Sequence, residues 1–294
     1  MLETVSQVLL SGLQVGGIYA LMALSYYVIL SSTEILNFAQ GEWMMMSAMM
    51  GLVLLRLGVP YPLAVALAIL AATALALLSE RLVIRRLERM QASLATMILA
   101  LLGIMIVVRY SAGLIFGRQE APLPGIIGEG VIRLTEDVFI LSNWLAVYAV
   151  TAAVFGGVWL MMRFTWLGRS LRVAAIDPIG AALCGVDLGR VRLMAFGLGG
   201  LIAATVGWLY APLYAAGYQI GVAPGIKGFI ALFIGGLVSP MGSLVGGLAL
   251  GIIEVGAARF MSSVYAEAAS FVILMLVLFF RPNGILVGRR AFRN

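Results

Sequence analysis

The sequence has no histidine, one cysteine (Cys184) and one lysine (Lys227) in 294 residues. Without histidine there is no Ser-His-Asp or Cys-His nucleophile pair, no imidazole metal site and no imidazole proton relay. A lone cysteine excludes an internal disulfide and a cysteine-rich zinc or iron–sulfur cage, and leaves the redox compartment unreadable. Lys227 stands in the setting Gly-Ile-Lys-Gly-Phe, so there is no Gly-x-x-x-x-Gly-Lys-Ser/Thr loop to cradle ATP phosphates. If ATP drives this protein, another chain binds it. Charge is scarce too. Only 11% of residues are charged and 63% are apolar, where a soluble globular domain has about 25% and about 45–50%. That composition excludes a soluble domain.

The net charge of +6 raises nucleic acid as a partner, but the placement of the cations argues against it. Most fall in three segments separated by long apolar stretches. Glu80–Met90 holds Arg81, Arg85, Arg86 and Arg89; Arg163–Arg192 holds Arg163, Arg169, Arg172, Arg190 and Arg192; the tail from Arg281 adds Arg289, Arg290 and Arg293. The polar loop between Tyr110 and Phe139 carries Glu120, Glu129, Glu136 and Asp137 against two arginines. This is the positive-inside pattern of a membrane protein.

A helix needs about 20 apolar residues to cross the hydrocarbon core, where lipid offers its backbone no hydrogen-bond partner. Val8–Leu30, Tyr61–Leu78, Gln91–Val108, Ile140–Met162, Leu193–Ala216 and Val264–Phe280 meet that need. Trp43–Leu57 is short, and Ile226–Phe260 is broken at Ser239-Pro240-Met241-Gly242. The sequence therefore predicts an all-α, polytopic integral membrane protein with about eight to nine transmembrane or re-entrant helices in one domain over 1–294. Parity then places all three basic segments inside, Ser31–Glu42 inside, and 110–139 and Gly217–Gly225 outside. The amino terminus is outside and the carboxyl terminus cytoplasmic. The first segment lacks a cationic n-region and reads as an uncleaved span. Glycines recur four apart (Gly12 and Gly16, Gly242 and Gly246, Gly247 and Gly251), a spacing that serves close helix packing within one chain or across a subunit interface.

Three polar constellations stand out. Within Arg163–Arg192, Asp177-Pro178 followed by Gly185 reads as a short helix, with Asp177 as N-cap, Pro178 in the first turn and Gly185 at the left-handed C′ position. Ala181 and Ala182 would present a shallow face flanked by Arg169, Arg172, Arg190 and Arg192, suited to docking on a cytoplasmic partner or to resting on anionic headgroups. Asn37-Phe-Ala-Gln40-Gly41-Glu42 interrupts one half of the chain and Pro224-Gly-Ile-Lys227-Gly228 the other, and paired interruptions point to a solute path. The alternative is a plain connecting loop. Glu254 is read as the only carboxylate well inside an apolar segment, within reach of Arg259 near the helix end. The Met44-Met45-Met46 run with Met49 and Met50 is read as packing rather than a metal site.

The order Gly17-Ile-Tyr-Ala-Leu-Met-Ala-Leu, Asn37-Phe-Ala-Gln-Gly-Glu, Gly168-Arg-Ser-Leu-Arg, Asp177-Pro, Gly185-Val-Asp, Gly228-Phe…Gly235-Gly and Arg281-Pro-Asn-Gly-Ile resembles the branched-chain amino acid ABC importer permeases of LivH type, from about residue 12 to residue 288. The resemblance implies a non-catalytic inner-membrane subunit without a cofactor of its own. It implies a second, similar permease, two cytoplasmic ATPase subunits and a periplasmic solute-binding protein as partners, with no nucleic acid. On it, 163–192 becomes the coupling loop and 110–139 a periplasmic loop. The family commonly has histidine where this chain has Gln40, so an amide replaces an imidazole there. The same family carries urea, short amides and other small polar solutes. A gradient-driven secondary transporter is the rival of another class, and it would need ion-coordinating residues at mid-membrane.

Overall fold

Apolar segments with no water to bond to must satisfy their own backbone groups, and helices do so within each segment. The computed structural model is accordingly mostly helical, and it describes residues 2–128, 130–133, 138–237, 239–261, 263–281 and 284–285. Glu129, Glu136 and Asp137 of the polar loop, Pro282 and Asn283 of the Arg281 motif, and the tail arginines Arg289, Arg290 and Arg293 lie outside the described residues. In chain order the elements are α1 (Leu2–Thr33), α2 (Gln40–Arg56), α3 (Tyr61–Ser79), a π-helical turn (Glu80–Ile84), α4 (Arg85–Arg89), α5 (Leu94–Ile115), β1 (Val131–Arg133), β2 (Phe139–Leu141), α6 (Ser142–Phe164), α7 (Trp166–Ile176), α8 (Pro178–Leu183), α9 (Leu188–Tyr214), α10 (Val222–Gly235), α11 (Pro240–Phe260) and α12 (Ser263–Phe280).

Among the described residues six helices are long and apolar enough to cross a membrane: Glu3–Thr33, Tyr61–Arg89, Leu94–Ile115, Ser142–Phe164, Leu188–Tyr214 and Pro240–Phe260. Five coincide with expected spans. The sixth is the second piece of the broken region, whose break at Ser239-Pro240 begins α11, with the Ser239 hydroxyl accepting from the Gly242 amide at 3.1 Å. The eight-to-nine reading also counted α2, α10 and α12. The first two have 17 and 14 residues, and α12 has 18. The polar loop is not wholly irregular, since β1 and β2 pair antiparallel with Val131 opposite Leu141.

The chain forms two compact units. The first comprises Met1–Tyr27, Pro124–Phe155 and Ile226–Asn294. Its helices approach through the glycines spaced four apart. A Cβ on Gly16 would lie 2.7 Å from Leu248 Cα, and one on Gly251 would collide with the Gly16 backbone. Gly246 meets Ala231 and Gly235 in the same way. Of the two uses open to that spacing, these glycines serve packing within the chain, where close backbone approach replaces the hydrophobic drive that lipid removes.

The second unit comprises Val28–Leu123 and Gly156–Gly225. Here α3 turns a stripe of Ala64, Ala68, Ala72 and Ala76, all fully buried, and a Cβ on Gly200 of α9 would run into Ala76. Trp208 of α9 fills the space that Gly51 of α2 leaves open. Met45, Met46 and Met49 are buried against Ala72, Ala112 and Ala204. Large apolar side chains on the outer face of α5, Leu99, Ile106, Val107 and Leu114, stay exposed. Such exposure suits a face solvated by lipid.

Candidate functional site

In the second unit, α1 ends at Thr33 and Glu34 follows in the left-handed region with φ 58°. The Asn37 Oδ1 then accepts from the Ala39 amide at 3.1 Å, an Asx turn from which α2 starts at Gln40 without a side-chain cap. Asn37, Gln40 and Glu42 are all at most 1% exposed. The Gln40 amide lies over Gly199, roughly 16 Å along α9 from Leu188 at 1.5 Å per residue. The interruption Asn37–Glu42 is therefore buried partway along a long apolar helix, and is not a surface loop.

Its counterpart comes to meet it. A Cβ on Gly41 would collide with the Gly221 carbonyl oxygen and lie 3.5 Å from Gly225 Cα. Parity had put Ser31–Glu42 inside and Gly217–Gly225 outside. On that expected sidedness, backbone contact between them takes the tips off those surfaces and into the unit. Both α2 and α10 begin at this contact, so two positive dipole ends lie close together there, although the Gln40, Glu42, Val222 and Gly225 amides already donate to backbone carbonyls.

Glu42, in the first turn of α2, is the local anion. Arg109 of α5 donates to its Oε1 from Nε at 3.0 Å and from Nη2, while Oε2 is buried without a partner. Sequence reading missed Arg109, which stands one residue past an expected span. It singled out Glu254 as the only carboxylate well inside an apolar segment, and burial adds two more to consider. Glu42 and Glu80 are more deeply buried than Glu254.

In the first unit, Lys227 of α10 forms an ion pair with Glu254 of α11, and its Nζ lies 5.6 Å from the Tyr19 ring centroid. Gly228 beside it admits the backbone of Met22. The expected partner, Arg259, is exposed and borders a separate cavity with Gln7 and Ser11. Residues five apart on a helix point roughly 140° apart, which is why Glu254 turns to another helix.

The interval Arg163–Arg192 carries the short helix α8. The Asp177 Oδ1 accepts from the Gly180 amide at 2.9 Å, Gly185 adopts φ 82°, and the Gly185 and Val186 amides donate to Ala182 and Ala181 carbonyls, both at 3.0 Å. These two bonds are a Schellman motif. Ala182, Arg169 and Arg172 are exposed. Ala181 is fully buried and does not share that face; the side chains that project are Ile176, Ile179 and Leu183, at 76%, 76% and 84% exposure. A helix this short has one inward position per turn, and Ala181 takes it. Arg192 also departs from its expected place on the docking face. It is 6% exposed and donates from Nε to Glu80 at 2.9 Å and from Nη1 to Glu88.

The structure thus brings Asn37, Gln40, Gly41 and Glu42 together in the second unit, and Lys227, Gly228 and Glu254 in the first. Asp177, Pro178, Ala181, Ala182 and Gly185 form one capped helix.

Residues 8–280 match the sequence profile of a family described as branched-chain amino acid transport system / permease component. The chain is 30% identical over 293 residues to the high-affinity branched-chain amino acid transport system permease protein LivH of Escherichia coli (strain K12), covering 95% of this chain and 94% of that one. It is 29% identical to the corresponding permease protein BraD of Pseudomonas aeruginosa, covering 95% of each. Among solved structures, PsaBC from Streptococcus pneumoniae in complex with Fab superimposes with a TM-score of 0.51 at 13% identity, over 95% of this chain and 92% of that chain. That likeness concerns the fold alone.

Proposed function

The chain belongs to the branched-chain amino acid transport permease family, and on that premise we propose that it is the permease subunit of an ATP-driven importer passing branched-chain amino acids across the bacterial inner membrane. The observation that carries the reading is the backbone contact of Gly41 with Gly221, where α2 and α10 both begin inside a bundle of membrane-length helices. Adjacent helix starts present positive dipole ends to an anionic group without placing a bare cation in the apolar interior. The carboxylate of an aliphatic amino acid is such a group. Gln40 supplies an amide where the family commonly has histidine, so hydrogen bonding at this position does not titrate.

The transport cycle is alternating access. ATP is bound and hydrolysed by two cytoplasmic partner subunits, a second similar permease completes the passage, and a periplasmic binding protein delivers the solute. The amino terminus faces outward and the carboxyl terminus the cytoplasm. The loop 110–139 is periplasmic and 163–192 is the coupling loop, with Ile179, Ala182 and Leu183 of α8 entering an ATPase groove and Arg169 and Arg172 beside them. Asn37, Gln40, Gly41, Glu42, Lys227, Gly228 and Glu254 line or brace the solute path. The chain itself makes and breaks no bonds and needs no cofactor of its own.

Uptake of labelled leucine, isoleucine and valine into cells with and without this chain tests the reading. Chain-dependent uptake that unlabelled branched-chain amino acids abolish, and urea and short amides leave intact, is expected. Competition by urea or amides alone would assign a different solute, and no chain-dependent uptake would end the proposal.

A further inference from the structure

Arg192 is the feature that the docking helix and the solute path leave unexplained. It lies in the first turns of α9, and α9 is tied to α8 without slack. The Schellman bonds close the end of α8 at Ala181 and Ala182, and the Asp187 Oδ1 caps α9 by accepting from the Arg190 amide at 3.1 Å. Two capped helix ends joined through residues 184–187 move as a piece, because each cap fixes the chain direction at its own terminus. The only exposed glycine of this joint, Gly185, already occupies the left-handed conformation that the turn requires.

The far side of Arg192 meets an irregular helix. Glu80, fully buried, opens the π-helical turn Glu80–Ile84 that interrupts the run from α3 to α4. Glu88 follows on α4 with a half-exposed side chain. One guanidinium thus ties the first residue of the interruption to the helix beyond it, a task suited to a planar fork with several donors. A buried ion pair is a poor way to gain stability where apolar packing would serve, and a π-turn inside a long helix marks a place where the helix yields. The joint also has room to move. A cavity of about 210 Å3 borders Arg192, Glu88, Pro178, Ala174, Ser31 and Glu34. On that side the segment carrying α8 is not packed solidly against its neighbours.

We propose that Arg192 is the positioning residue that carries displacement of α8 into the π-turn of α3, so that docking-helix motion bends the spanning helix Tyr61–Arg89. The inference rests on the reading of α8 as the ATPase-docking element. Arg192 touches neither solute nor nucleotide; it acts through Glu80 and Glu88.

The test uses the complete transporter, with both permeases, the ATPase subunits and the loaded binding protein, in lipid vesicles. Arg192→Met, Arg192→Lys and Glu88→Gln are compared with the unaltered chain for amount assembled, basal ATP hydrolysis, stimulation by the loaded binding protein, and solute accumulated per ATP. Arg192→Met is expected to keep basal hydrolysis while stimulation and the transport-to-hydrolysis ratio fall about tenfold, within the usual span of a coupling free energy. Arg192→Lys, which keeps charge without the fork, recovers part of the loss. Glu88→Gln, altered at a half-exposed position, assembles normally and lowers the same ratio by about fivefold. An unchanged ratio in Arg192→Met or Glu88→Gln overturns the proposal. So does a fall confined to assembled amount with the ratio per assembled complex unchanged. If the unaltered transporter accumulates no branched-chain amino acid, the solute assignment fails instead; the ratio of stimulated to basal hydrolysis still decides the role of Arg192.

Discussion

Arg109 of α5 donates to the same oxygen of Glu42 from Nε and Nη2, and the two partners are unequally enclosed, with Arg109 19% and Glu42 1% exposed in their side chains. The inequality decides which loss is worse. Arg109→Met leaves a carboxylate buried without its cation, a change of about 3–5 kcal/mol in reported cases. Glu42→Gln leaves the less enclosed of the two partners without its counter-charge, with a neutral amide in the fully buried place. Arg109→Met is therefore expected to lower the thermal inactivation temperature of the purified protein more than Glu42→Gln. The double variant should be more stable than Arg109→Met alone. Equal losses would show that Glu42 is not desolvated as described.

Gly41 and Gly221 are each other's nearest obstacle. A methyl on either reaches the other's backbone, and backbone cannot rotate away as a side chain does. Gly41→Ala is expected to force α2 away from the backbone at Gly221, at a cost of about 1–3 kcal/mol for overpacking, and to abolish uptake of labelled leucine. Gly103→Ala in α5 is the matched control. Nothing lies within 4 Å of its added Cβ, and alanine is the better helix former by about 1 kcal/mol, so uptake should be unchanged and stability slightly raised.

The difference between these two glycines also shows how far the sequence could be read. Apolar run length made five of the membrane-length helices legible, because lipid leaves the backbone no other solution. The caps of α8 were legible for the same local reason: Asp177, Pro178 and Gly185 act within one turn of where they stand. The polarity of Asn37–Glu42 was visible, but its depth was not. Depth is set by the contact of Gly41 with Gly221, and nothing in either segment encodes that distance. The same limit produced the wrong partner for Glu254. Arg259 was the one nearby cation on the same segment, at a spacing that is not ideal for pairing, whereas Lys227, 27 positions away, arrives only through the packing of α10 on α11. Arg109, one residue past an expected span, carried no sequence signal at all, and Arg192 was placed on the docking face because composition cannot say which arginines of a basic segment turn inward.

Lys227 and Glu254 give the double-variant test of that packing. Both are mostly buried, at 13% and 15% side-chain exposure, and the Tyr19 ring lies beside the ammonium. Lys227→Met and Glu254→Gln should each destabilise the protein by more than about 1 kcal/mol, and the double variant by less than their sum, since contacting residues couple by about 0.5–3 kcal/mol. Thermal denaturation in detergent measures all three. Additive losses would mean that the pair contributes nothing as a pair.

On α8 the expectation is reversed, because the residues that matter there contribute little to the fold. Ile179 and Leu183 are 76% and 84% exposed, and substitution at exposed positions away from caps usually changes stability by about 0.5 kcal/mol or less. Leu183→Asp should leave the amount of protein in the membrane and its thermal denaturation unaltered. A partner groove that accepts the leucine must desolvate it, and a carboxylate in its place would be buried unpaired. Co-purification of the ATPase subunits should therefore fall by at least about tenfold, a coupling of the usual size for a buried interface anchor. Asp177→Ala separates the two contributions. It removes the bond to the Gly180 amide and loosens the helix by about 1 kcal/mol, while the leucine still projects, so ATPase capture should weaken but persist. Full capture by Leu183→Asp would place the docking face elsewhere on the chain.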